Sequence, residues 1–528
     1  MRVLCLLLVL AACRPADPKD PKTWEKQLES REPQARAKAI QELRRLNDKA
    51  AAPKIAQLLN DPLCKEDAAL ALEDLGGPAE VQPLVSAIDT TVGAGSDLAA
   101  RVANRTNAKI ALALGNIGAT EAAPSLLRLA RAADDNVRLS AIEALGKLRS
   151  REAVPELAHV VDEPSAPPMV VKRALAALGQ IGDPAGIPAL LHGLVLERQG
   201  VSFLPESSFS LFAIGKPSVE PLLKILQDQD AAFLAWAKDN DRPLAGTYAK
   251  AAKVLGDLED ERAVPVLLAK LKYTDADPQP GTAKLLSDLV RGFAAQALGR
   301  LSAKEAAAPI QALISVKDEG DLPQFASEAL VWIGDRSQAK ELLKKAQTAG
   351  PRTRQALAEA VGLLGEPALA KELQSLAARI AGKGLCSKEL AELGQPESEK
   401  PCEAVAKPLR EAAAALVAAK ECETQECWMT KLADAEGAVR ARAAIELGRS
   451  GAVQAVTPLA KAAAAEDLLV RAAAMRALDW LAKDPRARTQ LLEAAATLQK
   501  QLDQDEGKTR FSAADEDLRR LAFKLSRL

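Results

Sequence analysis

The chain has 528 residues, which exceeds the usual size of one compact domain but suits an array of small units that pack on their neighbours. Its 70 basic and 71 acidic residues give a net charge of -1, which argues against a nucleic-acid partner, since such binding needs a basic stripe. The only histidines, His159 and His192, leave little material for metal or acid–base chemistry. We therefore expect no metal site, no cofactor and no small-molecule substrate.

The N-terminal residues have the pattern of an export signal. Arg2 precedes an apolar run from Val3 to Ala12, which is too short to span a bilayer. The run ends in Leu10-Ala11-Ala12-Cys13, which resembles the bacterial lipobox, in which the cysteine is lipidated and becomes the mature N-terminus. The resemblance implies a lipoprotein signal peptide over residues 1–12 and a lipid anchor on Cys13. The alternative is an ordinary cleaved signal followed by a chance cysteine.

Residues 13–32 comprise the lipidated cysteine and a predicted tether. Pro15, Pro18 and Pro21 recur at every third position, so the segment is expected to be extended and solvated. Arg14, rather than an aspartate, follows Cys13, and in enteric-type sorting this favours the outer membrane. We expect a membrane-anchored protein of the bacterial cell envelope, held at the outer membrane and facing the periplasm or the cell surface.

Residues 33–380 and 431–500 repeat one short pattern. Its clearest copy runs from Asn136 to Leu148, and the glycine of this copy, Gly146, is followed nine residues later by Pro155. Successive glycines are first separated by 31, 33, 36, 41 and 43 residues, and such periods predict a solenoid. The marker glycines are Gly115, Gly146, Gly179, Gly215, Gly256, Gly299, Gly334, Gly365 and Gly448.

Each copy is predicted to fold as two helices. A polar cap opens the first helix, apolar residues recur at helical spacing, and the marker glycine permits close packing against the second helix, which begins near the proline. This unit resembles the HEAT family, specifically its short bacterial form, the phycobilisome-lyase-type repeat, over about residues 33–380 and 403–497. The resemblance implies an all-α, HEAT-like two-helix repeat solenoid, an α-α superhelix, whose second helices line a concave face for protein partners. Residues 501–528 are predicted to contain a capping helix.

Residues 200–273 hold seven of the chain's 15 aromatic residues, and an insertion around residues 233–243 lengthens the repeat there. Aromatic anchors dominate protein-binding hot spots, so this region is a predicted partner site. The alternative is that longer helices need bulkier core residues. The candidate residues are Phe203, Phe209, Phe233, Trp236 and Tyr248.

Residues 381–430 form an irregular insert with a helical hairpin and contain Cys386, Cys402, Cys422 and Cys427. An exported chain lies in an oxidising compartment, so four cysteines predict two disulfides, for which three pairings exist. Cys422 and Cys427 flank the turn of the hairpin and are predicted to form one disulfide. Cys386 and Cys402 would then form the second, which closes a polar loop. A zinc site made of all four thiolates is the alternative, but it needs two close cysteine pairs and the sequence offers one. Cys64 is expected to be a buried free thiol.

The arginines of four Val-Arg pairs are expected to bind the acidic caps of adjacent repeats rather than an acidic ligand. They are Arg138, Arg291, Arg440 and Arg471.

The sequence lacks the motifs of enzymatic HEAT relatives. Deoxyhypusine hydroxylase binds iron through paired His-Glu motifs, whereas His159 precedes Val160 and His192 precedes Gly193 here. There is no Walker A loop, no His-Glu-x-x-His and no nucleophile elbow. The resemblance therefore implies a non-catalytic protein-binding scaffold or assembly factor. A structural spacer is the alternative, and an enzyme related to HEAT-type lyases or hydroxylases is less favoured.

Overall fold

The computed structural model describes residues 19–89, 97–277, 279–318, 320–382, 401–505 and 513–528. The chain divides into two compact units, residues 1–214 and residues 215–528, and each is described by itself. Cys13, the leader before it and Cys386 lie outside the described residues. Among the helices in the described ranges, none combines the length and the apolar character that a bilayer span requires.

The described part of the first unit is helical except for one short hairpin. Its helices are α1 (Pro21–Gln27), α2 (Pro33–Arg45), α3 (Ala52–Gln57), α4 (Lys65–Leu75), α5 (Val81–Ser86), α6 (Leu98–Ile117), α7 (Ala123–Leu129), α8 (Asp135–Lys147), α9 (Val154–Asp162), α10 (Pro168–Ile181), α11 (Ile187–Val195) and α12 (Leu204–Ile214). Between α11 and α12, strands β1 (Glu197–Arg198) and β2 (Val201–Ser202) pair antiparallel, with Glu197 opposite Ser202.

The second unit continues the same alternation of longer and shorter helices. Its helices are α13 (Val219–Leu226), α14 (Ala231–Asp239), α15 (Leu244–Leu258), α16 (Val264–Lys270), α17 (Pro280–Arg300), α18 (Ala307–Leu313), α19 (Leu322–Ile333), α20 (Ala339–Ala346), α21 (Pro351–Leu364), α22 (Ala370–Ile380), α23 (Pro401–Glu421), α24 (Gln425–Lys431), α25 (Gly437–Arg449), α26 (Val456–Ala463), α27 (Leu468–Leu481), α28 (Arg488–Asp505) and α29 (Ala513–Leu525). The predicted all-α repeat fold is confirmed.

Each repeat has a first helix, which in many copies carries the marker glycine at or near its end, and a second helix, which is usually shorter and usually follows a 3-10 turn. The predicted prolines lie in the opening turn of the second helix, as Pro155 does in α9 and Pro265 does in α16. The first helices are α2, α4, α6, α8, α10 and α12 in the first unit. In the second unit they are α15, α17, α19, α21, α23, α25, α27 and α29.

The marker glycines bring together the first helices of successive repeats, and the predicted contact with the second helix is wrong. A Cβ atom added to Gly115 in α6 would lie 2.8 Å from the Cα atom of Ala144 in α8. The same contact recurs between Gly299 in α17 and Ala329 in α19, at 2.9 Å. A glycine facing an alanine therefore sets the close approach of neighbouring first helices.

The marker series combines two kinds of glycine. Gly215 and Gly334 lie just beyond their helices with φ values of 82° and 79°, in the left-handed region that favours glycine. In α21 the glycine that faces the next first helix is Gly362, whose added Cβ atom would lie 3.0 Å from the Cα atom of Ala412, and not the predicted Gly365. The glycine that packs against the next helix and the glycine that ends the helix thus occupy positions about one helical turn apart.

Gly448→Ala is expected to lower the free energy of unfolding by about 1–2 kcal/mol, because overpacking outweighs the gain in helix propensity. The new Cβ atom would lie 2.6 Å from the Cα atom of Ala477, so backbone must move. Gly246→Ala in α15 is the matched control, since its added Cβ atom meets nothing within 4 Å and should stabilise the protein slightly. Urea denaturation of both variants tests this, and equal midpoints would contradict the close-approach interpretation.

In the second unit, the first helices of the C-terminal repeats contact the C-terminal ends of first helices from earlier repeats. Arg442 in α25 donates from Nη1 to the carbonyl oxygen of Gly362 at 2.9 Å. Arg476 in α27 donates from Nη2 to the carbonyl oxygens of Gly299 and Trp332, at 3.2 and 3.0 Å. These arginines are only 2% and 3% exposed, so they connect two rows of first helices through a buried polar interface.

The predicted capping helix, α29, belongs to this interface. Leu518, Leu521 and Leu525 are buried, as their spacing predicts. Arg520 is buried too, and its Nε lies 3.0 Å from Oδ2 of Asp257 at the end of α15. Lys524 donates to Glu259 at 2.7 Å. Arg520 and Lys524 of α29 therefore form ion pairs inside the second unit. The helix connects to an earlier repeat in addition to covering the last one.

The stability of the second unit is expected to fall as the pH drops below about 4. Burial alone raises the pKa of Asp479, but the charges of Lys524 and Arg476 outweigh it and lower the pKa. Burial likewise raises the pKa of Asp517, and Arg300 and its neighbours lower it. Because both pKa values lie below the unfolded value of about 3.9, this stabilisation is present above pH 4 and is lost as the pH falls through the folded values.

Urea midpoints measured between pH 7 and pH 3 test this dependence. The variant Asp479→Asn removes one of the two carboxyl groups, so its midpoint should fall less steeply over the same range. An identical pH profile for the variant and the unmodified chain would contradict the role of Asp479.

Candidate protein-binding face

Three of the five predicted aromatic anchors are core residues, which corrects their assignment as a partner site. Phe203 is 0% exposed in the first unit, and Phe233 and Tyr248 are each 4% exposed in the second. Tyr248 donates its hydroxyl to Asp228, and its ring stacks edge-on against Tyr273 at 5.6 Å between centroids. Core packing therefore explains these three residues, because their buried rings are not available to a partner.

Lys270 lies over both tyrosine rings. Its Nζ lies 3.6 Å from the centroid of Tyr248 and 5.5 Å from that of Tyr273, which is a cation–π geometry. Burial lowers the pKa of Lys270, and burial raises the pKa of Tyr248. The aromatic cluster thus encloses a cation of the same chain.

Phe209 and Trp236 remain partly exposed, so their role as anchors stays a prediction. Phe209 lies 6.3 Å from Phe212 on the same helix, α12, and Trp236 lies 5.7 Å from Phe233 on α14. Of the five candidates, two belong to the first unit and three to the second.

A disulfide joins Cys422 to Cys427, with 5.3 Å between their Cα atoms, across the turn between α23 and α24. Thr424 caps α24 by accepting from the backbone N–H of Cys427. Cys386 and the side chain of Cys402 lie outside the described residues, so their pairing stays a prediction. Cys64 is buried with a free thiol, as predicted.

The predicted pairing of the Val-Arg arginines with acidic caps of neighbouring repeats is confirmed for two of the four. Arg440 contacts Asp467, the N-cap of α27, at 3.0 Å, and Arg471 contacts Asp515 in the first turn of α29. Arg138 contacts Glu163, the C-cap of α9 in its own repeat, at 2.9 Å. Arg291 donates to the carbonyl oxygen of Tyr273 in the loop before its own helix. Arg440 and Arg471 are therefore structural links between repeats.

His192 lies on α11 with its Nδ1 2.8 Å from Oδ1 of Asp162, at the end of the preceding second helix. In the described ranges no group of three or more His, Cys, Asp or Glu side chains has a geometry that could hold a metal ion.

The outer positions of the first helices in the first unit form a ladder of ion pairs. Lys109 and Arg105 in α6 contact Glu66 in α4 at 2.6 and 3.1 Å. Glu143 in α8 binds Arg173 in α10, and Lys172 contacts Glu206 in α12 at 2.9 Å. Each of these carboxylates therefore has a cation on a neighbouring first helix.

Two carboxylates on first helices of the second unit are held by amides instead of cations. Gln296 in α17 and Gln324 in α19 donate to Glu328 at 3.0 and 3.2 Å. Gln355 in α21 donates to Glu359 at 2.9 Å. Within the described part of the chain, neither Glu328 nor Glu359 has a basic group within ion-pair distance. An amide orients a carboxylate but does not neutralise it, so the negative charge remains.

The position of Glu143 corresponds directly to that of Glu328. Each residue precedes the alanine on which the glycine of the previous repeat packs, Ala144 in α8 and Ala329 in α19. Glu411 in α23 precedes Ala412 in the same way, and Lys407 lies 3.5 Å from it on the same helix. The acidic row therefore continues from α19 through α21 to α23.

The carboxylates around Glu359 raise its pKa. Burial raises the pKa of Glu359, and the nearby charges of Glu328, Glu411 and Asp467 raise it further, while Gln355 opposes the shift. This result is the opposite of that for Glu66 in the first unit, where Arg105 and Lys109 lower the pKa. Several carboxylates of the second unit thus lie close enough together to oppose the ionisation of Glu359.

Two aromatic rings border the acidic row. Phe293 in α17 and Phe325 in α19 lie three residues before Gln296 and Glu328, and their ring centroids are 5.7 Å apart. Both rings are partly exposed, and Phe325 packs against the bare backbone of Gly292. We name the surface made by Phe293, Phe325, Glu328 and Glu359 the acidic aromatic face.

A groove between α22, α23 and the loop before α25 has a different character. Its volume is about 570 Å³, and Val417 and Val439 line it together with charged residues. Lys431 lies 3.3 Å from Asp434 and 3.7 Å from Glu421 there, so these opposite charges compensate one another. The acidic aromatic face is the better candidate because its charge is uncompensated.

Comparison with known proteins identifies the repeat. The family model for HEAT repeats matches residues 21–103, 102–169, 129–201 and 428–514, which make up half of the chain. The model for the PBS lyase HEAT-like repeat matches residues 248–273. No curated protein matches the chain.

Several solved structures resemble parts of the chain. Kap95p bound to RanGDP is 13% identical with a TM-score of 0.47, covering 94% of this chain and 70% of Kap95p. The phycocyanin lyase complex of CpcE and CpcF from Nostoc is 20% identical with a TM-score of 0.26, covering 39% of this chain and 80% of that one. Human deoxyhypusine hydroxylase is 20% identical with a TM-score of 0.22, covering 55% and 98%. On the family match and the repeat geometry, the chain belongs to the HEAT-repeat family.

Proposed function

We propose that this HEAT-repeat protein is a non-catalytic protein-binding scaffold or assembly factor, anchored by lipid to a membrane of the bacterial cell envelope. The observation that carries the proposal is the acidic aromatic face, where Glu328 and Glu359 have no ion-pair partner among the described residues, whereas the equivalent Glu143 of the first unit binds Arg173. Aromatic residues are enriched at surfaces that bind other proteins, and unpaired charge makes such a surface complementary to a partner of opposite sign.

The location of this face differs from the expectation that second helices bind the partner. Phe293, Phe325, Glu328 and Glu359 all lie on first helices, at points before those helices reach the buried interface of the second unit. The exposed side chains of Gln324 and Gln355 belong to the same surface. A partner therefore has access to the first helices here.

The envelope location is supported by two features that are independent of this face. The leader ends in Cys13 and is followed by a proline-rich stretch, which is the pattern of an anchored lipoprotein. The disulfide between Cys422 and Cys427 suits an oxidising compartment, because such bonds are rare in the bacterial cytosol.

Site-specific photo-crosslinking in the native host tests the scaffold function. A crosslinking amino acid at Gln324 is expected to yield an adduct with one envelope protein, identified by mass spectrometry in replicate cultures. The same amino acid at Gln41, an exposed glutamine on the ion-paired face of α2, is the matched control. Absence of an adduct at Gln324, or the same adducts from both positions, would favour a structural spacer.

A further inference from the structure

We infer that the acidic aromatic face binds an extended, cationic segment of a partner protein, with basic side chains at every third residue and an apolar residue at one end. This inference rests on the proposed binding function and specifies the chemistry of the partner. It follows from the register of the carboxylates, the spacing of the helices that carry them and the position of the aromatic pair.

The carboxylates form a regular row across successive first helices. Glu328 and Glu411 each precede an alanine that a glycine approaches from the previous repeat, and Glu359 precedes Ala360 on the helix between them. Packed helices lie about 8–10 Å apart, so a ligand that crosses them meets a new carboxylate at about that interval.

This interval matches the polyproline II conformation. Such a segment has three residues per turn and rises about 3.1 Å per residue, so side chains on one side recur about every 9 Å. A helical ligand rises only about 1.5 Å per residue, and its spacing of about 5.4 Å per turn does not match. A preformed extended segment also loses little conformational entropy on binding.

The charge of the surface determines the sign of the ligand. The pKa of Glu359 is raised by burial and by three neighbouring carboxylates, so the folded protein retains unfavourable repulsion that a bound cation would relieve. Glu328 accepts two amide hydrogen bonds that fix its oxygens without supplying charge. Lysine or arginine side chains of a partner would supply the counter-charges that Arg105, Lys109 and Arg173 supply in the first unit.

The aromatic pair determines at which end of the bound segment the apolar residue lies. Phe293 and Phe325 lie one helical turn from Gln296 and Glu328, on the two helices at the start of the acidic row. An apolar side chain that follows or precedes the basic residues would cover these rings. An apolar side chain removes these rings from water without desolvating a charge, so we infer a ligand that is both basic and apolar.

The probe for this proposal is a synthetic peptide that contains three lysines, each separated by two prolines, with a leucine at one end. Fluorescence anisotropy of the labelled peptide is measured against the folded chain without its leader. A peptide of the same composition with adjacent lysines is the first control, because it has the same charge but the wrong spacing. We expect the spaced peptide to bind more tightly than the control.

The variant Glu328→Gln with Glu359→Gln is expected to weaken binding of the spaced peptide roughly fivefold, as two partly exposed charge pairs are lost. The matched control is Glu66→Gln with Glu143→Gln, which changes carboxylates that are already paired, and it should bind unchanged. Circular dichroism confirms that both variants are folded.

Three outcomes would overturn the inference: no binding of the spaced peptide at low salt, equal binding of the two peptides, or equal losses in the two variants. The proposed scaffold function fails separately, in the crosslinking experiment. An adduct at Gln324 together with failure of the peptide would retain a protein partner and reject its cationic, extended character.

Discussion

Asp257→Asn is expected to lower the free energy of unfolding by about 3 kcal/mol, because the change removes a buried counter-charge from two arginines. Asp257 is 1% exposed at its side chain, and its carboxylate lies 3.2 Å from Arg300 and 3.0 Å from Arg520. The expected loss is at the lower end for a buried ion pair, since Asp517 remains near both arginines.

Asp484→Asn is the matched control for this substitution. Asp484 also pairs with an arginine, Arg486, but that side chain is 77% exposed, so the loss should stay below about 1 kcal/mol. Chemical denaturation followed by circular dichroism gives both values. Equal losses would show that the cluster around Asp257 does not depend on a buried charge.

Cys13→Ala is expected to release nearly all of the protein from the membrane fraction. A lipid anchor contributes about 0.8 kcal/mol for each buried methylene group, and several acyl chains on one residue give stable attachment. Without the thiol no thioether can form, and no described helix offers a bilayer span in its place. Membrane fractionation after expression in a bacterial host measures the loss.

Cys64→Ala provides the comparison for the anchor, because it makes the same change at a buried free thiol and should leave the protein on the membrane. Retention of the Cys13→Ala variant in the detergent-extractable fraction would reject the anchor at this residue.

The repeat fold could be predicted from the sequence because glycine, proline and apolar spacing act locally. Pro155 and Pro265 mark the second helices for this reason. The partner of the marker glycines could not be predicted in the same way. A small residue such as Gly115 permits close approach on any side of a helix, and only the packed structure shows that Ala144 is the neighbour.

The burial of charged residues in the second unit could not be predicted from the local sequence either. Arg442, Arg476 and Arg520 occupy helical positions that usually face solvent, and their burial depends on repeats that are distant in sequence. The acidic aromatic face, by contrast, leaves a signal in the sequence. Alignment of the residues three before each close-packed glycine places Glu143 beside Gln296 and Glu359.

The aromatic candidates show why residue type alone does not locate a binding surface. Phe203, Phe233 and Tyr248 fall within one aromatic-rich stretch of the sequence, and all three are core residues. Phe293 and Phe325 lie one repeat apart in a stretch that the composition does not mark, yet the repeat brings their rings to 5.7 Å. Proximity along a solenoid follows the repeat register rather than the distance in sequence.

The return of α27 and α29 to the earlier helices has a consequence for the order in which the chain folds. A simple repeat array can start folding anywhere and extend to its neighbours. In the second unit, Arg476 must reach a carbonyl 177 residues away, and Lys524 must reach Glu259 across 265 residues. At translation rates of about 5–20 residues per second, the carboxylate of Glu259 waits roughly 10–50 s for its cation. A nascent chain therefore exposes an incomplete polar surface during that interval, and the second unit becomes fully stable only after α29 has been synthesised.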